Sequence, residues 1–321
     1  PFFTTWSWGD FAGLGLILHI LLMIVMTLRI VSVQRNIGVS IAWIAVLYTL
    51  PVFGLIAYIL LGEPMIGRRY RQRIDQASLL VNDMAKREHL IFDRGQDLLK
   101  THYRGVSRIG TRWTGFGVFS DHRMQLLTNV DAIFDRLIAD INAAQRIILM
   151  EFYIVYPKGE VLDVIEALVS AAKRGIECHI LADSVGSFSF FNSAAHHQLE
   201  SAGVFVHQSL PVGLFKTLFK RSDLRNHRKM IAIDEYIGYI GSFNLVDPKF
   251  FKQHKNVGQW IDVIIRSISE RPISIASAMA KVIVTDIGAE NNDNLDALDQ
   301  RVNSYTRKLY VLSPTSNDIN S

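Results

Sequence analysis

Between residues 131 and 207 the apolar positions switch rhythm several times, and that switching most constrains the fold. Ile133, Phe134, Leu137, Ile138 and Ile141 lie three and four apart, as one face of a helix requires. Ile147, Ile148, Leu149 and Phe152 then mark residues 146–155 as a buried strand. Helical spacing returns at Val161, Leu162, Ile165, Leu168 and Val169, and Gly175 closes that helix. Residues 176–182 read as strand, 194–202 as a helix stopped by Gly203, and 204–207 as strand. This order predicts an α/β lobe whose sheet is covered by helices. Residues 227–233 and 236–241 are separated only by Asp234 and Glu235 and predict a hairpin, with a further strand at 259–266. No internal repeat is evident.

The 321 residues allow one large lobe and an appendage. A mean hydropathy of +0.19 is high for such a lobe, and the excess sits near the start. Residues 11–33 carry Arg29 as their one formal charge, and 41–61 carry none. Each stretch is long enough for a hydrocarbon core of roughly 30 Å, so two transmembrane helices are expected, the second kinked at Pro51. Arg68, Arg69, Arg71 and Arg73 outnumber Arg29 and Arg35, which predicts that the chain from Arg68 onward is cytoplasmic. The expected organisation is a membrane anchor over 1–66, a basic juxtamembrane linker over 67–110, a catalytic lobe over 111–290, and a polar tail or the start of a second lobe over 291–321. The chain opens on Pro1 and ends in a polar run. The expectation is that a native terminus and a C-terminal half lie outside it.

Chemistry concentrates further on. His227 and Lys229, two residues apart in a β-type run, point from one face. Gly241, Ser242 and Asn244 arrive shortly after, bringing a hydroxyl and an amide. The set suits a phosphodiester: Lys229 supplies charge, Ser242 and Asn244 supply donors, and His227 attacks phosphorus or moves a proton. Asp234 stands at odd spacing from His227 and is expected to hold the turn through backbone hydrogen bonds. Asp262 lies between Ile261 and Val263, where a carboxylate needs a partner. Gly241 permits a close backbone approach to a ligand.

Other features are less specific. Asp183 ends a strand and reads equally as a site residue or a helix cap. Residues 214–221 alternate bulky apolar and basic side chains, suited to a lipid interface or to a half-buried surface helix. Cys178, the single cysteine, excludes an internal disulfide and reads as a buried thiol. His196 and His197 are adjacent, which suits a surface helix better than a metal site. A net charge of +4 fits anionic lipid and nucleic acid alike.

With His227, Lys229, Asp234, Gly241, Ser242 and Asn244 the chain resembles the phospholipase D superfamily. The paired apolar stretches, Asn244-Leu245-Val246-Asp247-Pro248 and Val257-Gly258-Gln259-Trp260-Ile261-Asp262 make it most similar to bacterial cardiolipin synthases. That family carries two His/Lys/Asp motifs, and no second one follows Asp262. The resemblance implies a phospholipase D-like lobe, a mixed sheet flanked by helices, preceded by two transmembrane helices in a bacterial inner membrane. It implies a phosphatidyltransferase joining two phosphatidylglycerol molecules into cardiolipin with release of glycerol, through a phosphatidyl-histidine. His227, Lys229 and Asp234 are then the catalytic set, Lys229, Ser242 and Asn244 bind phosphate, and Asp262 orients the histidine. No cofactor or metal is implied. The partners implied are anionic phospholipid, the bilayer, and a second catalytic lobe from elsewhere in the chain or from a homodimer; nucleic acid is not among them. The alternatives are a membrane-tethered phosphodiesterase or nuclease, an inactive half-enzyme, and a non-catalytic scaffold.

Overall fold

The computed structural model describes residues 8–32, 37–62, 72, 100–114, 116–119, 122–210, 225–234, 236–252, 258–270 and 274–290, without the side chains of 8–16, 51, 60–61 and 122. Arg68, Arg69, Arg71 and Arg73, the stretch 214–221 and the tail 291–321 therefore lie outside the described residues. The chain divides into two units, 1–66 with 213–224, and 67–212 with 225–321.

In the first unit α1 spans Trp8–Ser32, α2 Ile37–Thr49 and α3 Pro51–Ala57, followed by a π-helical turn Tyr58–Gly62. Met23, Ile30, Leu47 and Tyr58 form a small core between them. Among the described residues no helix is long and apolar enough to cross a membrane. That corrects the expectation of two transmembrane helices over 11–33 and 41–61. The second stretch shows the reason: Leu50 leaves the helical region at φ −130°, ψ 69°, and Pro51 opens a new helix. The resulting pieces of 13 and 7 residues each fall short of the roughly 20 that a span requires.

The second unit is a seven-stranded mixed sheet in the order β1-β7-β6-β5-β2-β3-β4. Its strands are β1 His122–Leu127, β2 Ile147–Phe152, β3 Glu177–Asp183, β4 Phe205–Ser209, β5 Met230–Ile233, β6 Ile237–Gly241 and β7 Ile264–Ser269. β2, β3 and β4 pair in parallel, and every other pairing is antiparallel. The helices are α4 Arg104–Thr114, α5 Val130–Ala143, α6 Glu160–Lys173, the short α7 Phe188–Phe191, α8 Ala194–Ser201 and α9 Ile275–Glu290. The helices at 130–143, 160–173 and 194–201 follow the sequence rhythm closely. Local chemistry fixes their ends: Asn129 accepts from Ala132 N at 2.9 Å to start α5, and Gly175 leaves α6 at φ +88°.

β2 is central and buried along its whole length, which is why it reads as an unbroken apolar run. Its even-numbered residues Ile148, Met150 and Phe152 join Phe134, Leu137, Ile165 and Leu168 in the larger core. Ile147 and Leu149 point the other way and pack with Ile283, Val284 and Ile287 of α9. The helix at 275–290 and the strand at 122–127 lacked a decisive pattern in the sequence.

Candidate active site

Strand pairing decides which residues meet. Glu151 of β2 lies opposite Met230 of β5, Met230 opposite Ile240 of β6, and Gly241 opposite Ile264 of β7. The chain thus leaves β2, enters β5, leaves β6 and enters β7 along one edge of the sheet. Tyr153 follows β2, His227 and Lys229 precede β5, Ser242 and Asn244 follow β6, and Asp262 precedes β7, so all six collect at that edge. Two strands start later than the sequence pattern predicts, β5 at Met230 and β7 at Ile264. Strand alternation therefore does not place His227 and Lys229 on a shared face, and Asp262 is not mid-strand. Lys229 is buried, whereas His227 is exposed.

Lys229 Nζ donates to the His227 carbonyl at 2.7 Å and stands 5.6 Å from the centre of the Tyr153 ring. The His227 imidazole packs on that same ring at 4.8 Å. Burial pulls the Lys229 ammonium below its ordinary pKa, and the Asp262 carboxylate opposes that shift. Asp262 does not hold the imidazole: its Oδ1 accepts from Ser242 Oγ at 2.7 Å, and that hydroxyl accepts from Val263 N at 3.1 Å. Asn244 is buried and its Oδ1 accepts from Ile154 N at 3.0 Å. Its Nδ2 keeps both protons without a partner among the described residues. Gly241 makes room for the neighbouring strand, since a Cβ there would run into the Val263 carbonyl.

Asp234 is elsewhere. At φ +49° it forms the turn between β5 and β6. Its carboxylate accepts from the amides of Gln145, Arg146 and Ile147 at 3.1, 2.9 and 3.1 Å. Ile147 begins β2 while Asn244 binds Ile154 beyond its other end. At about 3.3 Å per residue Asp234 is roughly 20 Å from the histidine edge. The structure thus brings His227, Lys229, Ser242, Asn244 and Asp262 together and leaves Asp234 at the opposite end of the sheet. Asp183 is likewise occupied, accepting from Val185 N and Gly186 N and pairing with Arg225 Nε at 2.8 Å.

The sequence reading missed Glu151. It is 1% exposed, accepts from Asn226 Nδ2, and lies 3.7 Å from Arg228 Nη1, which also donates to Asp286 Oδ2 of α9. Desolvation, reinforced by the Asp286 charge, pushes Glu151 up to about 8. One guanidinium faces two carboxyl groups, and burial raises Asp286 as well. A glutamate raised in the folded state takes up a proton on folding between its unfolded value, about 4.3, and its folded one. Its contribution to stability is therefore fullest at low pH and falls as pH rises toward 8. Thermal melts at stepped pH should show the wild type losing stability between pH 5 and 8 relative to Glu151→Gln; parallel curves would contradict the assignment.

His196, His197 and Glu200 of α8 bring possible ligand atoms within 4.8 Å of one another. His196 Nε2 and Glu200 Oε1, one turn apart, stand 3.5 Å from each other, the ordinary pairing of an exposed helix face. Cys178 is fully buried, and burial pushes its thiol up to about 12.

The family model described as "Cardiolipin synthase, PLD-like domain" matches residues 137–265, and "Phospholipase_D-nuclease N-terminal" matches 21–63. Cardiolipin synthase A of Erwinia tasmaniensis is 38% identical over 269 residues, covering 83% of this chain and 54% of that protein. The chain belongs to the cardiolipin synthase family of the phospholipase D superfamily. Cardiolipin synthase A of Serratia proteamaculans is 39% identical over 289 residues, 89% of this chain and 57% of that protein. The chain therefore spans about half the length of the curated cardiolipin synthases it matches. A phospholipase D family member, Nuc, from Salmonella typhimurium has a TM-score of 0.36 at 20% identity, over 57% of this chain and 95% of that one. The stretch matched by the cardiolipin synthase domain runs from α5 to β7. It contains every residue gathered at the histidine edge, and Glu151, Asn226 and Arg228 besides.

Proposed function

We propose that this chain contributes one catalytic lobe of a phosphatidyltransferase that joins two phosphatidylglycerol molecules into cardiolipin and glycerol. The observation that carries the reading is the meeting, at one sheet edge, of an exposed imidazole, a buried ammonium and a free amide nitrogen. In the proposed first step a histidine nitrogen attacks the phosphorus of one phosphatidylglycerol while the bond to its terminal glycerol oxygen breaks. That oxygen leaves as glycerol once it receives a proton. A hydroxyl of the second phosphatidylglycerol then displaces the histidine and gives up its proton, so that one glycerol forms per cardiolipin.

Lys229 spends one ammonium proton on the His227 carbonyl and has two left for the non-bridging oxygens of the phosphodiester. Asn244 Nδ2 supplies two more donors. Ser242 donates to Asp262 and joins the phosphate ligands by turning its hydroxyl. Asp234 sets the frame at the far end and takes no part in bond breaking. Because the scheme uses one imidazole as nucleophile and another as acid, the second comes from a further lobe or a second copy. The substrate places the protein at a bacterial membrane. The exposed apolar side chains of Ile17, Leu21, Val25 and Leu28 on α1 support contact with a bilayer surface.

Incubation with vesicles of labelled phosphatidylglycerol is the test. Cardiolipin and glycerol in equal amounts, lost in Lys229→Met, support the reading. Phosphatidic acid without cardiolipin would make the protein a hydrolase, and cleavage of nucleic acid alone would make it a nuclease; either refutes it.

A further inference from the structure

We propose that Glu151 is a positioning residue for His227, holding the imidazole in place through the residues on either side of it. The proposal rests on the reading of His227 as a reacting group. Residues 225–229 belong to no helix or strand, and His227 is exposed, so backbone geometry alone does not fix where its ring stands. The ties come from its neighbours. Asn226 donates from Nδ2 to Glu151 Oε1, while its Oδ1 accepts from Arg228 N at 3.2 Å, closing a small ring around His227. Arg228 Nη1 lies 3.7 Å from the same Glu151 oxygen and donates to Asp286 Oδ2. Both flanking side chains thus converge on one carboxyl group that sits in the sheet itself, opposite Met230.

Glu151 is 1% exposed, and its Oε1 is the oxygen that both flanking side chains meet. Packing alone does not call for a carboxyl group at this place, since a methionine of similar volume would fill it. Only an acceptor oxygen also holds Asn226. The charged groups that act on it are Arg228 on the incoming loop and Asp286 on α9. With both flanks anchored, His227 presents its ring against Tyr153 and its carbonyl to Lys229. Reacting groups lose rate steeply when such alignment is lost.

The experiment follows the His227 imidazole by NMR, assigned with His227→Gln, during titration with inorganic phosphate in Glu151→Met, Glu151→Gln and Asn226→Ala. Thermal melts accompany each variant. Glutamine keeps an oxygen for Asn226, so Glu151→Gln should retain the wild-type imidazole signal and phosphate response. Glu151→Met and Asn226→Ala should shift the signal toward that of free imidazole and weaken the phosphate response roughly tenfold or more. A folded Glu151→Met or Asn226→Ala with wild-type signal and response would overturn the proposal; should Glu151→Met fail to fold, Asn226→Ala decides. If the wild type ignores phosphate yet the variants still move the His227 signal, the phosphodiester reading fails and the positioning role stands. If the wild type responds and the variants leave His227 unmoved, the reverse holds.

Discussion

His227→Gln should lower phosphatidyl transfer by a factor on the order of 10³ or more while leaving the fold intact. Both halves of the expectation come from the structure. The imidazole is exposed and touches protein chiefly through the Tyr153 ring at 4.8 Å, so its replacement opens no cavity. The backbone around it is held by other groups, Asn226 Oδ1 on Arg228 N and Lys229 Nζ on the His227 carbonyl. Stability should then stay within about 0.5 kcal/mol of the wild type, as for surface changes that break no tie. Glutamine can still hydrogen-bond a phosphate oxygen but cannot form a phosphorus–nitrogen intermediate or deliver a proton. Rates measured with labelled phosphatidylglycerol, beside a denaturation curve, separate the two effects. Transfer surviving within tenfold would remove His227 from the chemistry.

The largest expected loss of stability lies elsewhere, at Asp140→Ala. Arg266 of β7 grips Asp140 of α5 with two bonds, Nε to Oδ2 at 2.6 Å and Nη2 to Oδ1 at 2.7 Å. Tyr239 also donates to Oδ2, and Arg266 Nη1 reaches Gln125 of β1 at 3.1 Å. Asp140, Tyr239 and Arg266 are buried, and with the exposed Gln125 they join one helix to three strands. Removing the carboxylate leaves a buried guanidinium with no counter-charge and a phenol with no acceptor, at a cost of about 3–5 kcal/mol. Replacing both charged partners by apolar residues, Asp140→Leu with Arg266→Met, should cost less than Asp140→Ala alone, because no charge is then stranded. Urea unfolding measures both. A loss under about 1 kcal/mol for the single change would mean that the ion pair only offsets its own desolvation.

Helix and strand rhythm was legible wherever one face of an element is apolar and the other is not, as at 130–143 and 160–173. His227, Lys229, Ser242, Asn244 and Asp262 were legible as a set because they cluster in sequence around one hairpin, whereas Tyr153, far back in the chain, was not. Their geometry was not. The pattern at 227–233 reads as continuous strand, yet pairing begins only at Met230, and the loop before it is arranged by Glu151, far back in the chain. Asp262 attracted notice as an acid among apolar residues. Glu151, flanked by Met150 and Phe152, shows the same sign more strongly and would have been found by the same rule. The apolar stretch at 41–61 misled because hydropathy counts composition, and a break at Leu50–Pro51 divides the helix without changing that count. The π-turn at Tyr58–Gly62 had no sequence signal either.

Asp234 sits at the bend of a ribbon whose two arms both run to the opposite rim. One arm ends in the histidine and lysine, the other in the serine and asparagine. A slip of either arm by a single residue would turn every side chain over and separate the pairs. Its three amide contacts, from Gln145, Arg146 and Ile147, tie the bend to the start of β2 and so hold the ribbon in register with that strand. Alignment at one rim is thereby decided at the other, so mutations near the bend should dull catalysis without touching a reacting atom.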